Sequence, residues 1–392
     1  MSNKRVKNLD YYILVPAIML MLFGIVNVFS ASSNMASGSP FTYLLKQCVY
    51  VTITLGVSIF VYHVKLSKIL SEKFAKHYLM IVVIGLIIAR LFMPAVNGAH
   101  GWIILGVVSI QPAEFAKLGL IIYFAKYFSQ YSFKPKHLQE TIFVPNKWIL
   151  PAIILFLIAI MPDIGNLAIN LFIILVMILA SEISWKWAAL AFSSIGTLWI
   201  ALPLVITQLN IGASNYGLKR LVAFVNPWKY EKGSGTQLIN SYYAISNGGL
   251  FGVGLGNSIQ KTGYLPEPNT DFIMAVVAEE WGAIGILVVL TLLLIIIYRI
   301  IVIGVQATRT DIRIMMYGLA AYLTIQILVN IGGVSGVLPI TGVTFPFISY
   351  GGSSTLMIGL SMGMALNASS VVQQEKFKRQ QKNYKRGNNG RI

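Results

Sequence analysis

Long apolar runs alternate with short polar segments along the whole chain, and the run lengths are those of helices that cross a bilayer. About ten spans are predicted, near 11–31, 46–64, 77–94, 112–130, 148–162, 164–181, 187–207, 273–303, 312–332 and 347–369. The predicted fold class is an all-α integral membrane protein. It is organised as an N-terminal tail (1–10), seven helices (11–207), one large loop (208–271), three further helices (272–370) and a basic tail (371–392).

Composition supports that pattern, because 56% of the 392 residues are hydrophobic and only 11% are charged, too few to cover a soluble chain. The net charge of +17 is not a nucleic-acid footprint, since its carriers sit in short segments between the spans. One set of alternate segments holds Lys4, Arg5 and Lys7, then Lys65 to Lys76, then Lys126 to Lys147, Lys186, Arg299 to Arg313, and the tail from Lys376 to Arg391. The opposite short loops, 32–45, 95–111 and 333–346, hold no Lys or Arg. Both termini are therefore expected on the cytoplasmic side of the membrane, and the large loop on the outer side. The first apolar run is long enough to span and no small-residue cleavage site follows it, so no cleavable signal is expected. Cys48 is the one cysteine, which excludes an intramolecular disulfide. The tail, with Gly387 and Gly390, reads as a disordered segment near anionic headgroups.

The large loop is too long for a connector. Phe224, Trp228, Tyr242, Tyr243, Phe251 and Tyr264 give it apolar anchors, and glycines 248, 249, 252, 254 and 256 permit tight turns. Lys219, Arg220, Lys229, Lys232 and Lys261 either meet an anionic partner or are solvated loop charges. Its end, 261–282, gathers a lysine, prolines and the carboxylates of Glu267, Asp271, Glu279 and Glu280 where the chain re-enters an apolar helix. Ionisable groups at such a boundary work, pair or face water. Asp271 either caps the following helix or carries chemistry, and the two are compatible. A step of about 100° per residue puts Glu279 on the side of Asp271 and Glu280 on the other, so Glu279 is the expected second carboxylate, unless either glutamate binds backbone or a basic group instead.

Three polar stripes lie inside the spans. Gln111, Glu114 and Lys117 share one helical face, with Glu114 and Lys117 spaced for an ion pair that either holds helices together or serves an active cavity. Asp163, Asn166 and Asn170 form the second stripe, Gln326 and Asn330 the third, and these imply a hydrated interior or interhelical hydrogen bonds. The turn from Pro339 to Ser354 is a candidate second wall of the same cavity. His63, His77 and His137 fall on the inner side and His100 on the outer, so no clustered zinc site is expected. H-E-x-x-H, Walker and dinucleotide motifs are absent.

The motifs Asn97-Gly-Ala-His-Gly-Trp102, Gln111-Pro-Ala-Glu-Phe-Ala-Lys117, Pro162-Asp-Ile-Gly165, Asn226-Pro227, Gly254 to Lys261, Tyr264-Leu-Pro-Glu267, Thr270-Asp-Phe272 and Phe345 to Ser354, taken together, resemble the SEDS family, membrane glycosyltransferases that include FtsW and RodA. The resemblance covers nearly the whole chain. Leu255 to Lys261 and Phe29 to Ser33 are closer to the division member, FtsW, than to the elongation member, RodA. His100, Gly101, Asn240 and Asn269 depart from the family pattern, so no substrate contact is assigned there.

The resemblance implies polymerisation of lipid II into β-1,4 glycan strands for septal wall synthesis, by one inverting displacement with Asp271 as general base. Arg220 and Lys261, or a divalent cation such as Mg or Mn, would offset the departing pyrophosphate. Glu267, Thr270, Ser349, Gly351 and Ser353 are the other expected substrate contacts, while Gln111, Glu114, Lys117, Asp163 and Glu279 are expected in the cavity wall or a structural ion pair. The implied partners are a class B penicillin-binding protein transpeptidase and other division proteins. Two alternatives are a lipid II flippase and a non-enzymatic division scaffold. A flippase path should continue to the inner face, whereas the polar motifs collect near the outer one.

Overall fold

Helix starts fall where the sequence offers a proline or a capping oxygen. Pro40, Pro112 and Pro145 open helices, as a residue without an N–H can at no cost. Ser71 accepts a hydrogen bond from the backbone N–H of Phe74, and Asp163 from that of Asn166. The computed structural model describes residues 9–33, 39–95, 100–106, 108–130, 144–181, 193, 197 and 216–389. Its helices are α1 (Tyr11–Ala31), α2 (Pro40–His63), α3 (Leu66–Ile69), α4 (Glu72–Phe92), α5 (Pro112–Ser129), α6 (Pro145–Ile160), α7 (Ile164–Leu179), α8 (Tyr216–Val225), α9 (Thr236–Gly248), α10 (Ile273–Gln306), α11 (Thr310–Ser335) and α12 (Gly352–Asn389). A short antiparallel hairpin, β1 (Ile103–Leu105) and β2 (Val108–Ile110), pairs Ile103 with Ile110 inside the loop expected at 95–111.

Six helices, α1, α2, α4, α10, α11 and α12, are long and apolar enough to span, and α6 and α7 are shorter apolar helices. These and α5 account for nine of the ten expected spans, with starts shifted by a few residues. The other, 187–207, lies outside the described residues apart from 193 and 197. α5 is buried almost all round and carries Glu114, Lys117 and Lys126, charges that a lipid-facing helix would not tolerate. Together with α11 it forms the centre of the bundle. Val15, Leu22, Phe60, Ile81, Phe156, Leu294 and Val305 point outward as a lipid-facing belt.

α2 and α12 pack backbone to backbone. Cβ atoms added at Gly359 and Gly363, one turn apart, would lie 2.3 Å from Thr54 Cγ2 and 2.6 Å from the Ser58 carbonyl oxygen. Asn367 Nδ2 donates to the carbonyls of Val61 and Val64, satisfying the end of α2. α12 then continues to Asn389, so the tail expected to be disordered is helical. Gln, Lys, Glu and Arg in that stretch are good helix formers, and bonds from Gln373 to Ser369, Gln374 to Ser370 and Thr308 to Glu375 support it.

The described part of the large loop, 216–271, is itself folded. α9 buries Leu238, Ile239 and Ala244 against α10 and α11, so closely that a Cβ at Gly248 would fall 1.9 Å from the Ala278 carbonyl oxygen. α10 breaks at Gly282, whose φ of 66° is open to glycine, and the stretch after α9 fills the break. Between α11 and α12 the segment 337–351 re-enters the bundle. Its backbone is held by Gln326 Nε2 on the Thr344 carbonyl (3.0 Å) and Asn330 Nδ2 on the Val343 carbonyl (2.7 Å), which gives the third polar stripe a structural task.

Candidate active site

The end of the bundle that carries the large loop encloses a cavity of about 840 Å³. One wall is the start of α10 and the turn before it, with Pro266, Glu267, Thr270 and Asp271. The others come from Gln111 and β2, from Pro162 to Ala168 at the start of α7, from Arg220 and Leu221 on α8, and from Leu338 to Gly342 with Tyr350. Most of this lining is apolar. Its charged groups are Asp163, Glu267 and Asp271 and, as the only cation among the described lining residues, Arg220.

Asp271 is 8% exposed. The helix cap position falls on Phe272, which makes no side-chain cap bond, while the carboxylate of Asp271 takes backbone hydrogen bonds at 271 and 272 and lines the cavity. The backbone around it is pinned from two sides. Asn330 Nδ2 donates to the Asp271 carbonyl (2.8 Å), and Ser349 Oγ donates to the Thr270 carbonyl (2.6 Å) while accepting from the Phe345 N–H. Tyr350 N–H donates to the Asn269 carbonyl at 2.9 Å. The Thr270 hydroxyl lies 3.0 Å from Asp271 Oδ1 and 3.2 Å from Glu267 Oε2, so one hydroxyl links two carboxylates. Burial raises the pKa of Asp271, and the Arg220 guanidinium and the Thr270 hydroxyl pull it part of the way back. Arg220 rests on the backbone of Gly342, where an added Cβ would lie 3.2 Å from Nη1.

Asp163 and Gln111 share the opposite wall. Asp163 Oδ2 accepts from Gln111 Nε2 (3.1 Å) and Asn166 Nδ2 (2.9 Å). Ser353 Oγ accepts from the Gln111 N–H at 3.0 Å; Ser353 and Gly351 thus lie behind the wall and do not line it.

Ser349, Lys261 and Glu279, expected at the site, do not line the cavity; Ser349 lies behind the wall, its hydroxyl taken up by backbone. Lys261, expected near a phosphate, is buried, with Nζ 2.6 Å from Glu280 Oε1 and 2.9 Å from Ser30 Oγ. Glu279, expected as the second carboxylate, accepts from Asn247 Nδ2 (2.8 Å), the Ile259 and Gln260 N–H groups and the Ser258 hydroxyl, and so anchors the loop. Helical phase alone placed it beside Asp271, but α9 and the loop cover that face. Glu114 and Lys117 form the structural ion pair that their spacing predicts, at 2.6 Å and away from the cavity lining, with the ammonium 5.4 Å from the ring centre of Tyr322. The second cavity carboxylate on the Asp271 wall is instead Glu267. Tyr350, within the turn expected as the second wall, lines the cavity, as does Gln237 of α9, which neither charge nor spacing distinguishes in the sequence.

The FtsW/RodA/SpoVE family, described as "Cell cycle protein", matches residues 10–374. A Lactococcus lactis protein named "Probable peptidoglycan glycosyltransferase FtsW" is 40% identical, with 92% of each chain covered. The Bacillus subtilis protein of the same name is 37% identical over 97% of this chain and 95% of its own, and the stage V sporulation protein E of that organism 34% over 92% and 96%. Among solved structures, a chain of a peptidoglycan synthase complex superposes with a TM-score of 0.74 at 23% identity, covering 93% of this chain and 99% of that one. Thermus thermophilus RodA superposes at 0.66 and 23%, covering 92% and 96%. The superpositions speak for the fold, and the sequence matches, running from the first span to the last, make this chain a member of the FtsW/RodA/SpoVE family of multi-pass membrane proteins.

Proposed function

We propose that this chain is a peptidoglycan glycosyltransferase that joins lipid II units into glycan strands at the outer face of the bacterial plasma membrane, in septal wall synthesis. The observation that carries the proposal is the buried carboxylate of Asp271 on the wall of a largely apolar cavity that also presents Arg220. The asymmetry of Lys and Arg supports placing that cavity outside and both termini inside.

In the proposed step, Asp271 takes the proton of the acceptor 4-hydroxyl as that oxygen attacks the donor anomeric carbon. The new glycosidic C–O bond forms as the bond to pyrophosphate breaks, and the pyrophosphate leaves with the electron pair. It leaves as an anion, so no general acid is needed, and a single displacement inverts the anomeric centre. A raised pKa makes Asp271 a stronger base than a solvated carboxylate, and Arg220 faces the same space to offset the negative charge. Thr270 keeps Glu267 and Asp271 together. No group of three or more His, Cys, Asp or Glu is clustered for a metal among the described residues. Glu267 and Asp271 are the carboxylates that would hold a divalent cation together with substrate oxygens, and such a cation would neutralise phosphate charge.

A glycosyltransferase alone makes uncrosslinked strands, so a class B penicillin-binding protein is the proposed partner. The likeness to a chain of a complex that coordinates polymerisation and crosslinking supports it. Transport is the weaker function, because Glu114 and Lys117 are buried and paired with each other and do not extend the cavity lining. The test is purified protein in lipid vesicles with labelled lipid II and no other polymerase. Wild type is expected to make strands, and Asp271→Asn, with an unchanged unfolding midpoint, to make none. Full polymerisation by Asp271→Asn removes the base assignment. Lipid II crossing the bilayer without being joined would replace the enzyme with a flippase.

A further inference from the structure

α1 measures the bilayer against α10. At one end Asp10 accepts from Arg299 Nε (2.8 and 3.0 Å), with Tyr12 under the guanidinium and Tyr11 and Tyr12 exposed, as at a membrane interface. At the other, Ser30 Oγ donates to Glu280 (2.7 Å) and Asn27 Oδ1 accepts from Trp281 Nε1 (3.0 Å). About 20 helical residues separate Asp10 from Ser30, or ~30 Å, the thickness of the hydrocarbon layer. Glu280 therefore marks the boundary on the loop side, and Ile284, past the break at Gly282, lies on the bilayer side of it.

The segment after α9 reaches that depth. The Gly249 carbonyl accepts from the Ala283 N–H (3.0 Å) and the Leu250 carbonyl from the Ile284 N–H (3.2 Å). On its return, Val253 and Gly254 donate to the carbonyls of Glu279 (2.9 Å) and Glu280 (3.1 Å), and Gly252 donates to Gly248 (2.7 Å). Irregular backbone at this depth is tolerated where protein partners take up its polar groups, and these five bonds tie the segment to α9 and α10. Side chains have no room between the two segments, since Cβ atoms at Gly252 and Gly282 would lie 2.2 and 2.4 Å from backbone atoms. The side chains that remain point away from the protein, with Leu250 67% and Phe251 79% exposed. They continue the lipid-facing surface of Ile284, Leu287 and Val288 on α10. No ionisable residue occurs from Ala244 to Gln260.

We propose that 249–255 is a re-entrant segment of the leaflet on the loop side, with Leu250 and Phe251 seated among acyl chains. Lipid is its occupant because the surface is continuous with the belt that lipid already covers. The dip fixes the height of the loop that ends at Asp271 and does not depend on the chemistry assigned to that residue.

The test labels the full-length protein at Phe251→Cys with an environment-sensitive fluorophore, in a Cys48→Ser background, in phosphatidylcholine and phosphatidylglycerol vesicles. Leu287→Cys serves as the lipid-exposed reference and Lys229→Cys as the aqueous one. Blue-shifted emission, quenched by nitroxides on the acyl chains as strongly as at position 287, supports the segment. Iodide quenching equal to that at position 229 overturns it, because Phe251 would then lie in water. Shielding from both quenchers overturns it as well, and assigns the surface to a second copy of the chain.

Discussion

Replacing Lys261 with methionine removes an ammonium that lies 2.6 Å from Glu280 Oε1 and 2.9 Å from Ser30 Oγ, at a place where both charged side chains are sealed, 1% and 0% exposed. Glu280 would be left as a buried charge whose one remaining partner is the Ser30 hydroxyl. Breaking a buried pair from one side costs about 3–5 kcal/mol, roughly two to four orders of magnitude in the folding equilibrium. Removing both charges, in Lys261→Met with Glu280→Leu, is expected to recover most of that loss, because apolar replacement of a whole pair is often neutral or stabilising. Ser30 can then turn its hydroxyl to the carbonyl one turn back in α1. The assay is a denaturant titration in mixed micelles followed by circular dichroism for the wild type, both single variants and the double variant, as a double-mutant cycle. Lipid II polymerisation is measured on the same samples. Normal stability with lost polymerisation in Lys261→Met would return the lysine to the substrate, and a double variant no better than the single one would refute the pairing energetics.

Three further outcomes follow from the same geometry. Asp271 must be ionised to act as a base, so polymerisation is expected to fall on the acid side at a higher pH than for a solvated carboxylate, since burial raises its pKa. Arg220 lowers that pKa, so Arg220→Gln should move the acid limb to still higher pH, and a limb that stays or moves down contradicts the electrostatics. Asn330→Leu frees the carbonyls of Asp271 and Val343 together, and is expected to reduce turnover at least tenfold, the equivalent of about 1.4 kcal/mol of lost positioning, with substrate KM little changed. Gly359→Leu drives a side chain into Thr54, so α2 and α12 must separate; a loss of about 1–3 kcal/mol is expected in the same micelle titration, and Gly56→Leu, with open space at its Cβ, is the control.

The long apolar helices were legible in the chain, with starts good to a few residues. Whether a run of residues leaves water depends on its own length and composition, and whether a helix can begin depends on the few residues at its start, as Pro112 illustrates, whereas the span expected from 46 begins at Pro40. The sequence also brought Asp271, Asp163 and Gln111 to notice, since each is a polar residue at the edge of an apolar run. Only the tertiary structure decided which charges face the cavity. Lys261 and Arg220 look alike in the chain, yet one is paired with Glu280 and Ser30 and the other lines the open space. Glu279 has the right helical phase, but the loop that fills the break at Gly282 claims its oxygens. Those partners come from segments far apart in sequence, Ser30 lying 250 residues from Glu280, and no local pattern records a distance that is set only when the helices pack.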